Sequence, residues 1–156
     1  MIIRNVLLLK IIAPLVLALS FSVPASADEL KDISQMAENG QQAAALDRIN
    51  TYLAANPRDA QAMFMKGIIL AESGKRDEAI KSFTDLTEKY PNLPEPYNNL
   101  AVLYAESNQY DKAKKALETA IKTHPSYATA HENLGDIYAR MASEAYDKAL
   151  QLDGGN

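Results

Sequence analysis

The sequence contains no cysteine, which excludes disulfide staples and thiolate metal sites at the outset. It has only two histidines, His124 and His131. Pro125 and a helix start separate them, so they do not share one helical face and form no zinc-type pair. The bland role for His131 is to fill space at a helix seam, and His124 reads as a solvated loop residue. There is no glycine-rich phosphate loop and no nucleophile on a sharp glycine-flanked turn, so phosphoryl and acyl transfer lose their usual signatures. Acid pairs such as Asp77-Glu78 fall at a helix start, where they complement the macrodipole. The expectation is a chain without catalytic residues, metal or cofactor. Positive charge is also scarce: 16 basic against 20 acidic residues leave a formal net charge of −4. A non-specific nucleic-acid binder needs the opposite sign. β-branched runs are few after residue 30, while Ala, Leu, Lys, Glu and Gln recur, which predicts an all-α chain. A hydrophobic content of 47% is enough to expect a packed core.

The first 27 residues read differently from the rest. Arg4 and Lys10 precede an uncharged apolar run, Ile11 to Phe21, and Ala25-Ser26-Ala27 supplies small residues for cleavage. This is the pattern of a secretory signal peptide, with cleavage expected after Ala27. An uncleaved anchor is the alternative. However, a spanning helix wants about 17–25 apolar residues, and this run is short and interrupted by proline, with Pro14 inside it and Pro24 soon after. No cysteine follows it, so a bacterial lipoprotein anchor is excluded. Removing Arg4 and Lys10 leaves 14 basic against 20 acidic residues and a net charge of −6 on residues 28–156. The expected location is outside the cytoplasm, in the periplasm if the cell has two membranes, with no stable membrane span after cleavage.

From residue 28 onward the chain repeats itself every 34 residues. Pro57, Pro91 and Pro125 keep that spacing, as do Ala45, Ala79 and Ala113, and Ile49, Phe83 and Leu117. So do Met36, Leu70, Tyr104 and Tyr138, and the mostly small series Ile33, Gly67, Ala101 and Gly135. Small residues let paired helices approach closely, and large ones fill the seam between them. Gly40, Gly74 and Asn108 mark turns in which a left-handed residue ends a helix. Helix pairs are therefore predicted at 29–39 with 42–55, 59–73 with 76–89, and 94–107 with 110–123.

Gly67, Leu70, Ala79, Phe83 and Pro91, and more fully Tyr97, Leu100, Ala101, Tyr104, Ala113, Leu117 and Pro125, resemble the tetratricopeptide repeat (TPR) pattern. The resemblance covers about residues 28–153. It implies a right-handed helical solenoid of about three and a half repeats, with units near 28–57, 60–91, 94–125 and 128–153.

Two units depart from the pattern. In the first, Glu29 and Asp32 stand where large apolar residues are expected, which suits a terminal cap with one face in water. In the fourth, the turn position is Ala142, and no Gly, Pro or Asn lies between Gly135 and Asp153. Leu134, Tyr138, Met141, Ala145, Ala149 and Leu152 follow one helical stripe. This predicts a single fused helix from about 129 to 152; a turn at Ala142-Ser143, with Ser143 as N-cap, is the alternative. A fused helix leaves Met141, Ala145, Tyr146, Ala149 and Leu150 uncovered. They are the expected surface for self-association, a homodimer, or for partner docking; fraying of the stub is the competing outcome.

In proteins of the resembled family the first helices of each pair line a concave groove that binds protein or peptide. Carried over position by position, the resemblance gives Gln61, Phe64, Met65, Ile68 and Glu72 from the second unit. The third supplies Glu95, Asn98, Asn99, Val102 and Glu106, and the fourth Thr129, Glu132, Asn133, Asp136 and Arg140. The expected guest carries an apolar anchor followed by basic or hydrogen-bonding residues. Asn99 and Asn133 match an asparagine ladder that holds an extended peptide backbone in some members. Chaperone-binding members use a lysine-based clamp for a terminal carboxylate. Here Phe64, Asn98 and Glu132 occupy the clamp positions, so that specificity is not expected. The function implied is a binding adaptor of the cell envelope, with a self-associating structural protein or chaperone-like accessory factor as the alternative.

Overall fold

A computed structural model describes residues 24–153. Seven α-helices and no strands occur among them: α1 (Pro24–Glu38), α2 (Gln42–Ala55), α3 (Ala60–Glu72), α4 (Arg76–Lys89), α5 (Pro94–Glu106), α6 (Tyr110–Thr123) and α7 (Ala128–Asp153). The predicted leader lies outside the described residues apart from 24–27, which form the first turn of α1. That helix starts earlier than predicted because Pro24 is tolerated in a first turn and Ala25 to Ala27 do not resist helix formation. The other boundaries match the predicted ones within a residue.

The turns close in the same way each time. Lys75 N donates to Leu70 O and Gly74 N to Ala71 O, each at 3.0 Å. Gln41 and Gly40 repeat this on Met36 and Ala37, as do Gln109 and Asn108 on Tyr104 and Ala105. This paired closure satisfies the last carbonyls of a helix and requires a left-handed residue. Gly40, Gly74 and Asn108 supply it, with φ of 79°, 73° and 57°. The helix starts are less uniform. Asp59 caps α3 by accepting from Ala62 N at 3.0 Å, and its other oxygen accepts from the Tyr52 hydroxyl at 2.8 Å.

The helices form two compact units, α1–α4 up to Pro91 and α5–α7 from Asn92. In the first, Leu30, Ile33, Ala45, Ile49, Tyr52, Ala62 and Ile69 build a core, with Met36, Leu46, Leu53 and Met65 packed against it. Glu29 and Asp32, the polar substitutions of the terminal repeat, both lie near the Arg48 guanidinium of α2, at 3.7 and 3.5 Å. In the second unit Ala101, Val102, Ala113, Leu117, Ala120, Ala130 and Ile137 are buried together, with Tyr97, Tyr104 and Leu134 against them. The residues read as repeat-defining carry the packing: Ala45, Ala79, Ala113, Ile49, Phe83 and Leu117 are all fully buried.

α7 is one continuous helix of 26 residues, as the missing turn chemistry requires. The stripe that marks it as one helix is mostly exposed, and a different face is buried. Ala130, Asn133 and Ile137 are buried, Leu134 and Met141 are partly covered, and Tyr138 is 50% exposed. His131 is likewise exposed instead of filling a seam, and its Nε2 lies 2.9 Å from Pro125 O. The cause is common to both. These positions face a second helix in a complete pair, and fusion removes that helix. Tyr104 in the preceding repeat still has its cover, with Lys112 of α6 5.5 Å from the ring centroid.

A buried polar cluster on α5 and α7

Because α5 is helical, Glu95, Asn98, Asn99 and Val102 fall on successive turns of neighbouring faces. α7 brings Asn133 against them, and its Nδ2 donates to Asn98 Oδ1 at 2.8 Å. Asn98, Asn99 and Asn133 are all essentially buried. Asn99 Nδ2 donates back to Glu95 O of its own helix at 2.9 Å. The structure therefore pairs Asn98 with Asn133 and ties Asn99 to its own backbone.

Three polar atoms of this unit are buried and find no hydrogen-bond partner among the described residues: Glu95 Oε2, Asn98 Nδ2 and the Tyr127 hydroxyl. Glu95 and Tyr127 are half-buried as residues, and Asn98 is fully buried. Burial, and after it the Glu95 carboxylate, push the Tyr127 phenol far above its ordinary range, so it keeps its proton. A buried unpaired polar group costs about 1–3 kcal/mol. The three atoms are a carboxylate acceptor, an amide donor and a hydroxyl, and all three are covered by the surrounding protein. Sequence reasoning missed Tyr127. It sits at the residue before α7, in register with Asp59 and Leu93, and that register gave no signal of a polar role.

The remaining candidates are placed individually. On α3, Gln61 and Glu72 are exposed, and Met65 and Ile68 are half-buried. Burial, then repulsion from Glu38, holds the Glu72 carboxyl above its ordinary range. Phe64 is in the core, its ring tilted 59° to that of Phe83 at 5.6 Å between centroids. On α5, Val102 is buried and Glu106 exposed; on α7, Thr129, Asp136 and Arg140 are half-buried and Glu132 exposed. Of the residues read as a self-association surface, Met141 is partly covered, while Ala145, Tyr146, Ala149 and Leu150 are exposed. Among the described residues no three His, Asp or Glu side chains gather as metal ligands, and no helix is long and apolar enough to cross a membrane.

A family model described as the N-terminal TPR repeats region of Psidin matches residues 29–152. No curated protein matches. Among solved structures, the TPR domain of Sgt2 from Aspergillus fumigatus is 15% identical, with a TM-score of 0.72 over 80% of this chain and 83% of that one. YrrB, a TPR protein with an unusual peptide-binding site, is 29% identical, with a TM-score of 0.60 over 64% of this chain and 52% of its own. The first TPR of Spaghetti (RPAP3), bound to the HSP90 peptide SRMEEVD, is 15% identical, with a TM-score of 0.66 over 72% of this chain and 89% of that one. With a family model spanning most of its length, and with helix pairs closed by identical turns at a fixed period, this chain belongs to the tetratricopeptide-repeat family.

Proposed function

We propose that the chain is a non-catalytic adaptor, exported to the cell envelope, that binds a segment of another protein on the first-helix face of α5 and α7. Proteins of this fold are generally scaffolds, and one neighbour was solved holding a peptide. The observation that carries the reading is the set of buried polar atoms without partners, Glu95 Oε2, Asn98 Nδ2 and the Tyr127 hydroxyl. Fold alone does not assign function, but an unpaired cluster of this kind gains when a guest supplies the missing bonds.

The chemistry favours a basic guest. Glu95, the half-buried acidic member, accepts from a lysine or arginine. Phe64, Asn98 and Glu132 stand at the clamp positions, and none carries the positive charge that an acidic C-terminus needs. The peptide SRMEEVD is therefore expected not to bind. A counterpart in which its acidic residues are replaced by lysine is expected to bind measurably by calorimetry, and to lose at least tenfold in affinity on Glu95→Gln. Equal affinity for both peptides would remove the charge argument. Export is read from the leader pattern, Arg4 and Lys10 before an apolar run ending at Ala25-Ser26-Ala27. N-terminal sequencing of the protein recovered from the envelope is expected to begin at Asp28, and protein that begins at Met1 would refute cleavage. In a cell with two membranes the expected compartment is the periplasm.

A further inference from the structure

Gly67 on α3 shows what a complete repeat does with a small residue on its first helix. A Cβ at Gly67 would lie 2.5 Å from the Phe83 ring, so the glycine is the seat for a large side chain of the second helix, α4. Gly135 occupies the same register on α7, and a Cβ there would meet nothing within 4 Å. His131 and Tyr138, in register with Met63 and Leu70, are exposed where those two are buried. Among the described residues, α7 thus keeps the seat for a second helix and nothing occupies it.

The same rod also carries an occupant. Tyr146-Asp147-Lys148-Ala149 repeats Tyr110-Asp111-Lys112-Ala113, the opening of the second helix α6. Seat and occupant lie on one uninterrupted helix of 26 residues, about 39 Å long at 1.5 Å per residue. A straight helix cannot fold its far half onto its near half. A second copy can supply it.

We propose that α7 pairs with α7 of a second copy, antiparallel about a twofold axis that passes between Ala142 and Ala145. Gly135, Tyr138, Ala142, Ala145, Ala149 and Leu152 alternate three and four residues apart and form one stripe, every member of it exposed. In the antiparallel register Gly135 faces the partner's Leu152, Tyr138 faces the partner's Ala149, and Ala142 faces the partner's Ala145. Each layer sets a large side chain on a small one or joins two alanines. Shifting by one heptad leaves either Gly135 or Leu152 without a counterpart. No layer opposes like charges, since none of the six stripe residues is charged. Tyr146 and Leu150, 73% and 70% exposed, flank it on one side, and Met141 flanks it on the other. Five turns of such pairing cover on the order of 1,000 Å² in total, the lower edge of specific interfaces. The dimer is therefore concentration-dependent, and it completes the fourth helix pair of both copies. Asn133 projects to the opposite side of α7, so this surface and the polar cluster can fail independently.

The absence of cysteine makes the register directly testable in the protein as the cell accumulates it. Mixing Gly135→Cys with Leu152→Cys under mild oxidation is expected to give a cross-linked heterodimer, while neither variant alone cross-links to itself. Like residues stand about 26 Å apart in this register, on the helical rise, and a disulfide needs Cα atoms within about 7 Å. Sedimentation of the unmodified protein is expected to show a dimer that Ala145→Glu weakens at least tenfold, with helicity unchanged. Three outcomes would overturn the proposal. These are self-cross-linking of Gly135→Cys, an intrachain disulfide in the double variant Gly135→Cys with Leu152→Cys, or a protein that stays monomeric at several hundred micromolar.

Discussion

The pair α3–α4 and the helix α7 are two outcomes of one repeat pattern. In α3–α4 the first helix is covered: Gly67 is pressed by the Phe83 ring, Leu70 is buried, and Gly74 turns the chain back. In α7 the residues Gly135 and Tyr138 stand in the same places, but Ala142 replaces the turn residue and the helix runs on. The difference shows that a repeat residue acquires its role from the helix opposite it. A small residue is a tight seat when something sits on it and an ordinary helical position when nothing does.

The comparison breaks most sharply at its large side chains. Phe83→Ala removes a fully buried ring and is expected to cost about 3–5 kcal/mol in denaturant unfolding. Tyr138→Ala, at half exposure, is expected to stay below about 1 kcal/mol in dilute protein. Comparable losses at both sites would mean that α7 is covered after all. The glycines sharpen the contrast by sign. Gly67→Ala must displace the Phe83 ring and is expected to cost about 1–3 kcal/mol. Gly135→Ala enters open space on a helix and is expected to stabilise the monomer by about 0.5–1 kcal/mol.

How far the sequence foretold this depends on which residues are asked. The helix spans were legible because Gly40, Gly74 and Asn108 are types that accept a positive φ, and each sits one turn beyond an apolar series. The fusion of α7 was legible from the lack of such a residue. The exposure of His131 and Tyr138 follows from that fusion, yet both were read as seam or stripe residues by their register alone. The buried face of α7 instead follows Ala130, Asn133 and Ile137, because α7 packs against α5 and α6. The choice between Asn98 and Asn99 as partner for Asn133 was not legible. The two amides are adjacent in sequence, and a helical step of about 100° decides which meets α7 and which turns back to Glu95. Tyr127 carried no pattern at all.

Smaller effects test the polar parts of each unit. Asn133→Ala removes the donor to Asn98 Oδ1 and leaves a buried acceptor unpaired, an expected loss of about 1–2 kcal/mol by thermal or denaturant unfolding. Glu72 is expected to give the smallest change. Its folded carboxyl is raised by burial and by Glu38, so the folded state holds its proton more tightly than the unfolded chain. Its contribution to stability is full below the ordinary carboxylate range and is lost as pH rises through the folded value. Because the group is largely exposed, solvent screening keeps the effect small. Glu72→Gln is expected to change stability at neutral pH by less than about 0.5 kcal/mol and to flatten that part of the pH profile. An unchanged profile would contradict the assignment.

The most direct test of the adaptor reading is affinity selection from a displayed peptide library, followed by calorimetry of the selected peptides on the native protein and on the double variant Glu95→Gln with Asn98→Leu. The account predicts peptides enriched in lysine or arginine that bind the native protein and lose at least tenfold on the folded variant. Peptides without basic enrichment, or peptides that bind the variant as tightly as the native protein, would contradict it.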